Sequence, residues 1–343
     1  MGDEMIDKEN IRRRALELIS KDGRNVASRL CDEFKITRQA VSKHVKTLIS
    51  EGLIEARGST RSRVYSLVPI SMDYHAYDLK EVNEDIVWRE LCRPVLKDLR
   101  GNVVDIWHYA STEMINNAIE HSEAETLQVS IGRDAISTFA KIQDDGVGIF
   151  EKIQKAMGYY DPRDSVLELA KGKLTTDPKN HSGEGIFFTS RSMDTFQINS
   201  GKLSYFYGGS QNNLLEESGR DIRGTGIVMT LANDSERSLK SVFDEYASDG
   251  GFSFDKTLIP VCLAQYEEEK LISRSQAKRL YARFEHFRRV ILDFEGVVEI
   301  GQAFADELFR VFVNSHPEVE LSAVNMVPEV ERMIKRAKQR RST

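Results

Sequence analysis

The stretch Glu113-Met-Ile-Asn-Asn117-Ala-Ile-Glu120-His121-Ser122 decides how the chain is read, together with Asp144-Asp-Gly146-Val-Gly148-Ile149 about one β-hairpin further on. On a helix, Glu113, Asn117 and His121 fall at i, i+4 and i+8 and share one face. Ile115, Ala118 and Ile119 supply apolar packing elsewhere on the same helix. One helix face therefore presents a carboxylate, an amide and an imidazole together.

Such a trio suits nucleotide chemistry. The amide oxygen of Asn117 is a hard ligand for a Mg²⁺ ion already carried by phosphates. Glu113, one turn earlier, can orient or deprotonate a water or hydroxyl that attacks a terminal phosphate. Asp144 ends a predicted strand, Thr138-Phe-Ala-Lys-Ile-Gln143, where its carboxylate can accept a hydrogen bond from an adenine amino group. Gly146 and Gly148 let backbone approach a ligand where a side chain would block it.

The pair resembles the N box and first glycine box of the GHKL ATPases, the group that includes DNA gyrase B, the large heat-shock chaperones, histidine kinases and anti-sigma serine kinases. Ser182-Gly183-Glu-Gly185-Ile186-Phe-Phe is similar to the second glycine box, where amides at a helix start hold phosphate. Gly224-Thr225-Gly226-Ile-Val-Met-Thr-Leu is similar to the third. The four boxes stand in the family's order within about residues 80–235, which makes the set far more specific than any one of them. The resemblance implies ATP and Mg²⁺ as ligands. It implies contacts from Asn117, His121, Asp144, Gly146, Gly148, Ser182, Gly183, Gly185 and Thr225, with Asn117 on the metal and Glu113 as catalytic base. His181 stands where the family usually has an extra glycine, a departure that bears on the geometry of the ATP lid. The lid itself is expected over Gly172–His181, with Lys173, Lys179 and His181 as candidate phosphate contacts.

The first 70 residues read differently. Residues 8–68 hold 14 Lys or Arg against 7 Asp or Glu, a net of +7 in a chain whose total is −6. That asymmetry points to an anionic partner for this segment. Helices are predicted over 9–21, Val26–Phe34 and Arg38–Ile49, with Thr37 as the cap of the third. Strands over Leu53–Arg57 and Arg63–Leu67 follow as a hairpin. This resembles a winged helix-turn-helix of the bacterial regulator type. The resemblance implies double-stranded DNA as partner. Arg38, Gln39, Ser42, Lys43 and Lys46 would meet a major groove, and Arg57, Arg61 and Arg63 on the wing would meet phosphate or a minor groove. A winged helix used only for protein contacts is the alternative.

Residues 71–100 are expected to be a linker, from Pro69 to Asp78, followed by a helix over Val82–Leu99. The nucleotide domain is expected over 101–236, as helices on one face of a mixed sheet, and Ser238–Phe252 as a connector. His108 lies between Trp107 and Tyr109 without the acidic neighbour of a phospho-acceptor histidine, so histidine autophosphorylation is not expected. Residues 250–343 alternate strand and helix. The run Leu292-Asp-Phe-Glu-Gly-Val-Val-Glu-Ile300 before a helix resembles STAS domains, the anti-sigma antagonist fold. Gln302 stands where STAS switches carry a phosphorylatable serine, so a serine switch within the chain is not expected. A plain α/β interaction module is the alternative there.

The fold class expected is thus multidomain α+β. No apolar run approaches the roughly 18 residues of a membrane span. The acidic start, Met1 to Asp7, lacks the basic and apolar regions of a signal peptide. Cys31, Cys92 and Cys262 form neither a metal pattern nor a disulfide framework, so a soluble, reduced, cytoplasmic protein is expected. The function expected is a bacterial transcriptional regulator gated by Mg-ATP binding and slow hydrolysis. A serine/threonine kinase of the anti-sigma partner-switching type and a scaffold without turnover are the alternatives. A protein partner at the C-terminal module and a homodimer both stay open.

Overall fold

The computed structural model describes residues 2–59, 62–174, 183–208, 213–247, 254–265 and 269–339, with side chains from Lys8 onward. The N-terminal unit follows from hydrophobic spacing. α1 (Gly2–Lys21), α2 (Val26–Phe34) and α3 (Arg38–Ser50) close around Ala15, Leu18, Leu30, Val41, Val45 and Leu48. Thr37 has extended backbone, and its Oγ1 accepts from Ala40 N at 3.2 Å, which fixes the start of α3. β1 (Ile54–Arg57) and β2 (Val64–Leu67) pair antiparallel with Arg57 opposite Val64. The turn at Gly23 must lack a side chain. Tyr65 N donates to Gly23 O at 3.1 Å, and a Cβ at Gly23 would run into the Tyr65 carbonyl.

The expected linker is a strand. β3 (Ser71–Asp78) lies antiparallel to β4 (Thr126–Arg133), with Ser71 opposite Arg133. Its apolar residues show no inward alternation, because it is an edge strand whose Met72 and Tyr74 face solvent. β3 thus joins the central sheet. The helix expected over Val82–Leu99 is one continuous helical run from Glu84 to Leu96, in which α4 (Glu84–Val87) passes through a π-helical turn over Trp88–Cys92 into α5 (Arg93–Leu96). The wide turn precedes Pro94, which has no N–H to donate.

α6 (Gly101–His121) follows, then β4, β5 (Ser137–Asp144), α7 (Ile149–Met157), α8 (Arg163–Lys171), α9 (Gly185–Ser192), β6 (Thr195–Gly208), β7 (Leu214–Ala232) and α10 (Leu239–Tyr246). The sheet order is β3-β4-β5-β7-β6, and every pairing is antiparallel, not mixed as expected. The polar stretch Asn199–Leu203 is a bulge inside β6, with register shifts around Gly201. β6 and β7 thus form one long hairpin. Val129, Ile131, Ala140, Ile142, Ile198, Ile227 and Met229 alternate onto one sheet face and are buried beneath α6 and α9. α10 occupies the expected connector, and Ser238 Oγ accepts from Ser241 N at its start.

The C-terminal unit comprises β8 (Lys256–Pro260), α11 (Arg274–Tyr281), β9 (Arg289–Asp293), α12 (Gln302–Asp306), a π-helical turn over Glu307–Phe312, α13 (Val313–Ser315), β10 (Glu320–Val324) and α14 (Pro328–Gln339). Its sheet is parallel in the order β10-β9-β8, as strand–helix alternation predicts. One buried apolar cluster runs through the central and C-terminal units. The rings of Phe187, Phe254 and Phe287 bridge them, with centroids 4.6 and 5.5 Å apart. Among the described residues no helix is long and apolar enough to cross a membrane. All three cysteines are free thiols.

Candidate functional site

The polar face of α6 opens onto a cavity of about 310 Å³. Glu113, Asn117 and His121 line one side. Asp144, Gly148 and Thr225 line the floor, and Gly183 and Gly185 the far wall. Residues from four separate segments therefore converge on one hollow. Ile142, Ile153, Leu169, Phe187 and Ile227 are among its apolar lining. A mostly apolar hollow of this size with a few converging polar groups is the ordinary form of a small-molecule site.

Asp144 anchors the floor. Its Oδ1 accepts from Gly146 N at 2.9 Å and from Thr225 N at 3.1 Å. Burial raises its pKa above the usual carboxylate value, and those two N–H groups oppose the rise. Thr225 Oγ1 in turn accepts from Ile149 N at 2.9 Å. The turn between is tightly built. Gly148 has φ +89°, and a Cβ there would sit 2.5 Å from Ser200 Oγ. Gly146 lies behind the cavity, packed so closely on the Ser122 carbonyl that no side chain fits. It shapes the turn without lining the hollow.

Glu113 is half-buried against the start of α9, where a Cβ at Gly185 would collide with its Oε2. The positive end of that helix faces the carboxylate. The Tyr109 phenol is pushed well above its ordinary pKa by burial, then by the nearby Glu113 and Glu184 charges. The Asn117 Nδ2 is buried and has no hydrogen-bond partner among the described residues, an orphan at the cavity wall. Gly183 adopts φ +71° and packs on Leu174. Among the described residues no group of three or more His, Cys, Asp or Glu side chains is arranged to hold a metal by itself. Any cation here would share Asn117 with a ligand's own oxygens.

Ser182, Lys179 and His181 lie outside the described residues. Lys173 is described and turns away from the hollow, donating to His286 O at 3.0 Å. Lys152 lines the cavity and escapes the motif pattern. Its Nζ donates to His121 O at 2.7 Å and pairs with Glu123 at 2.9 Å. Its position four residues after Gly148, in the first turn of α7, is the only sequence signal for it.

The second candidate surface is the outer face of α3. Arg38, Gln39, Ser42, Lys43 and Lys46 are all exposed, and Gln39, Ser42, Lys43 and Lys46 line one shallow groove with Thr47 and Ser50. Arg57 and Arg63 are exposed at facing ends of the β1–β2 ribbon, with Arg57 paired to Glu55 at 2.8 Å. Arg61 lies outside the described residues.

Two family models match the chain. Residues 8–55 match a winged helix-turn-helix DNA-binding family. Residues 276–331 match a STAS-like domain of unknown function (DUF4325). The chain carries an N-terminal winged helix-turn-helix and a C-terminal STAS-like domain. No curated protein matches the chain. In the STAS-like domain, Gln302 is the first residue of α12, after the Asp293 end of β9.

Proposed function

We propose that the chain is a DNA-binding regulator whose central unit binds Mg-ATP and hydrolyses it slowly. The observation that carries this is the convergence of Glu113, Asn117, His121, Asp144, Gly148, Gly183, Gly185 and Thr225 on one cavity. Those residues come from the four motifs that resemble the GHKL boxes, and their meeting in space supports an ATP site of that type. The orphan amide of Asn117 fits a ligand that brings its own polar atoms.

In this reading Asp144 accepts from the adenine amino group while Thr225 N holds the carboxylate in place. Asn117 would hold a magnesium ion through its amide oxygen, and that ion would neutralise phosphate charge. Glu113 Oε2 takes the proton of the attacking water. Ile142, Leu169 and Phe187 exclude bulk solvent around the ligand. The exposed basic face of α3 meets the major groove, and Arg57 and Arg63 meet phosphate.

A second reading, transfer of phosphate to a protein serine, draws on the STAS-like match. Gln302 offers no hydroxyl, so the acceptor would be another protein. Both readings are tested by incubating the full chain, Glu113→Ala and Asn117→Ala with labelled Mg-ATP and resolving free phosphate from labelled protein. Free phosphate release is expected to fall at least ~100-fold in Glu113→Ala with binding retained, as for loss of a general base. Asn117→Ala is expected to lose both. Label appearing on an added STAS partner would favour the kinase. A wild type without saturable nucleotide binding would end both.

A further inference from the structure

The cavity wall formed by the end of α8 is not held by the central unit alone. Lys171 is fully buried, and its Nζ donates to Glu168 Oε1 at 2.5 Å and to Ala282 O at 2.9 Å. Arg283 Nη1 reaches Glu168 Oε2 at 3.1 Å, and its Nη2 donates to the Lys173 carbonyl. Thr257 Oγ1 donates to Lys171 O at 2.7 Å. Arg279 pairs with Asp164 at 3.2 Å. Thr257, Arg279, Ala282 and Arg283 all belong to the C-terminal unit. Leu169 and Leu174, either side of this knot, line the cavity, and Leu174 N donates to Gly183 O at 3.2 Å.

The backbone here is strained on both sides of the junction. Gly172 has φ +84°, Lys173 φ +53° and Arg283 φ +67°. A left-handed conformation at two non-glycine residues persists only where surroundings over-determine it. Here each strained residue is held by the other, through the Arg283–Lys173 hydrogen bond. A Cβ at Gly172 would lie 2.7 Å from the Phe254 ring and 3.0 Å from Phe187, so the chain is squeezed between the C-terminal unit and the cavity lining. A buried carboxylate that serves Lys171 and Arg283 together has no solvent to fall back on when either leaves.

We propose that the STAS-like domain is a working part of the nucleotide pocket, and that Arg283 is the positioning residue through which it sets nucleotide affinity. The proposal rests on the nucleotide reading of the cavity. It gives the C-terminal domain a mechanical hold on the site. Whatever binds that domain near α11 acts on Leu169, Leu174 and Gly183 through Glu168 and the Lys173 carbonyl.

The test compares the full-length wild type, Arg283→Gln and Ile334→Ala. Ile334 is buried on α14, which packs on α12 and the Glu307–Phe312 turn, so its truncation loosens the domain without removing any side chain of the knot. Two quantities are read under conditions where every variant is folded: affinity for a fluorescent ATP analogue with Mg²⁺, and hydrogen exchange at the Leu174 amide without nucleotide. Arg283→Gln is expected to weaken the analogue about tenfold, a usual size for coupling between sites, and to speed Leu174 exchange. Ile334→Ala is expected to leave both close to wild type. Unchanged affinity or unchanged exchange in Arg283→Gln overturns the proposal, as does the same effect from Ile334→Ala. A wild type that binds no analogue refutes the nucleotide reading, while the exchange rates still decide whether Arg283 holds the wall.

Discussion

Asp144 is buried under the cavity with its Oδ1 committed to Gly146 N and Thr225 N. Its pKa is raised, chiefly by burial. A carboxyl with a raised folded pKa favours folding while protonated, and that contribution is lost as pH climbs from below 3.8 through the folded value. At neutral pH the buried charge is therefore a cost. Asn keeps an oxygen acceptor for both N–H groups and removes the charge. Asp144→Asn is accordingly expected to melt no lower than wild type at pH 7, with the difference shrinking toward pH 3. In the same variant an NH₂ group faces the hollow where an acceptor stood. Adenine nucleotide affinity should fall by about 1–3 kcal/mol, the penalty for an unsatisfied buried donor. Thermal melts across pH and nucleotide titrations check both parts. A lower melting point at pH 7 would show that the charge itself holds the turn.

At the scale of elements, α7 begins at a glycine that has no side chain with which to cap it. β7 supplies the missing acceptor, because Thr225 Oγ1 takes the Ile149 N–H at 2.9 Å. Thr225→Val keeps the shape and orphans that N–H. It is expected to cost about 1–2 kcal/mol in urea unfolding, as loss of a helix cap does, while Thr225→Ser stays close to wild type. Equal losses from Val and Ser would mean that the methyl group, not the oxygen, matters. This cap also marks where sequence reading stops. Glu113, Asn117 and His121 are legible because helical spacing alone puts them on one face, and α1 to α3 because their apolar periods are clean. β3 is not legible, since an exposed edge strand needs no alternation and is held by backbone pairing with β4. The bulge at Gly201 hides a single strand behind turn residues. The Lys171–Glu168–Arg283 knot spans more than a hundred residues of chain, and each member alone reads as a solvated surface charge.

Across the whole molecule, β5 runs from the cavity to the winged helix-turn-helix. Asp144 closes one end, and at the other Ala135 and Ile136 pack onto the N-terminal apolar core. The neighbouring β7 end is tied to the same place. Asn233 N donates to Ile136 O at 2.8 Å, and Asp234 pairs with Arg13 of α1 at 2.7 Å. A rigid strand with ligand contacts at one end and a docking contact at the other is a physical route for coupling. If nucleotide gates DNA binding, Mg-ATP should shift affinity for a mixed-sequence duplex at low ionic strength by about 5- to 150-fold, and DNA should shift nucleotide affinity by the same factor. The combined variant Arg13→Ala, Ile136→Ser removes the docking contact but leaves α3 and the cavity residues in place. It is expected to bind DNA and nucleotide each alone as the wild type does, and to show no mutual effect. Measuring all four affinities in both proteins separates the outcomes. Wild-type affinities that ignore each other would end the gating idea, whereas a double variant that stays coupled would move the route to some contact other than the β5 end.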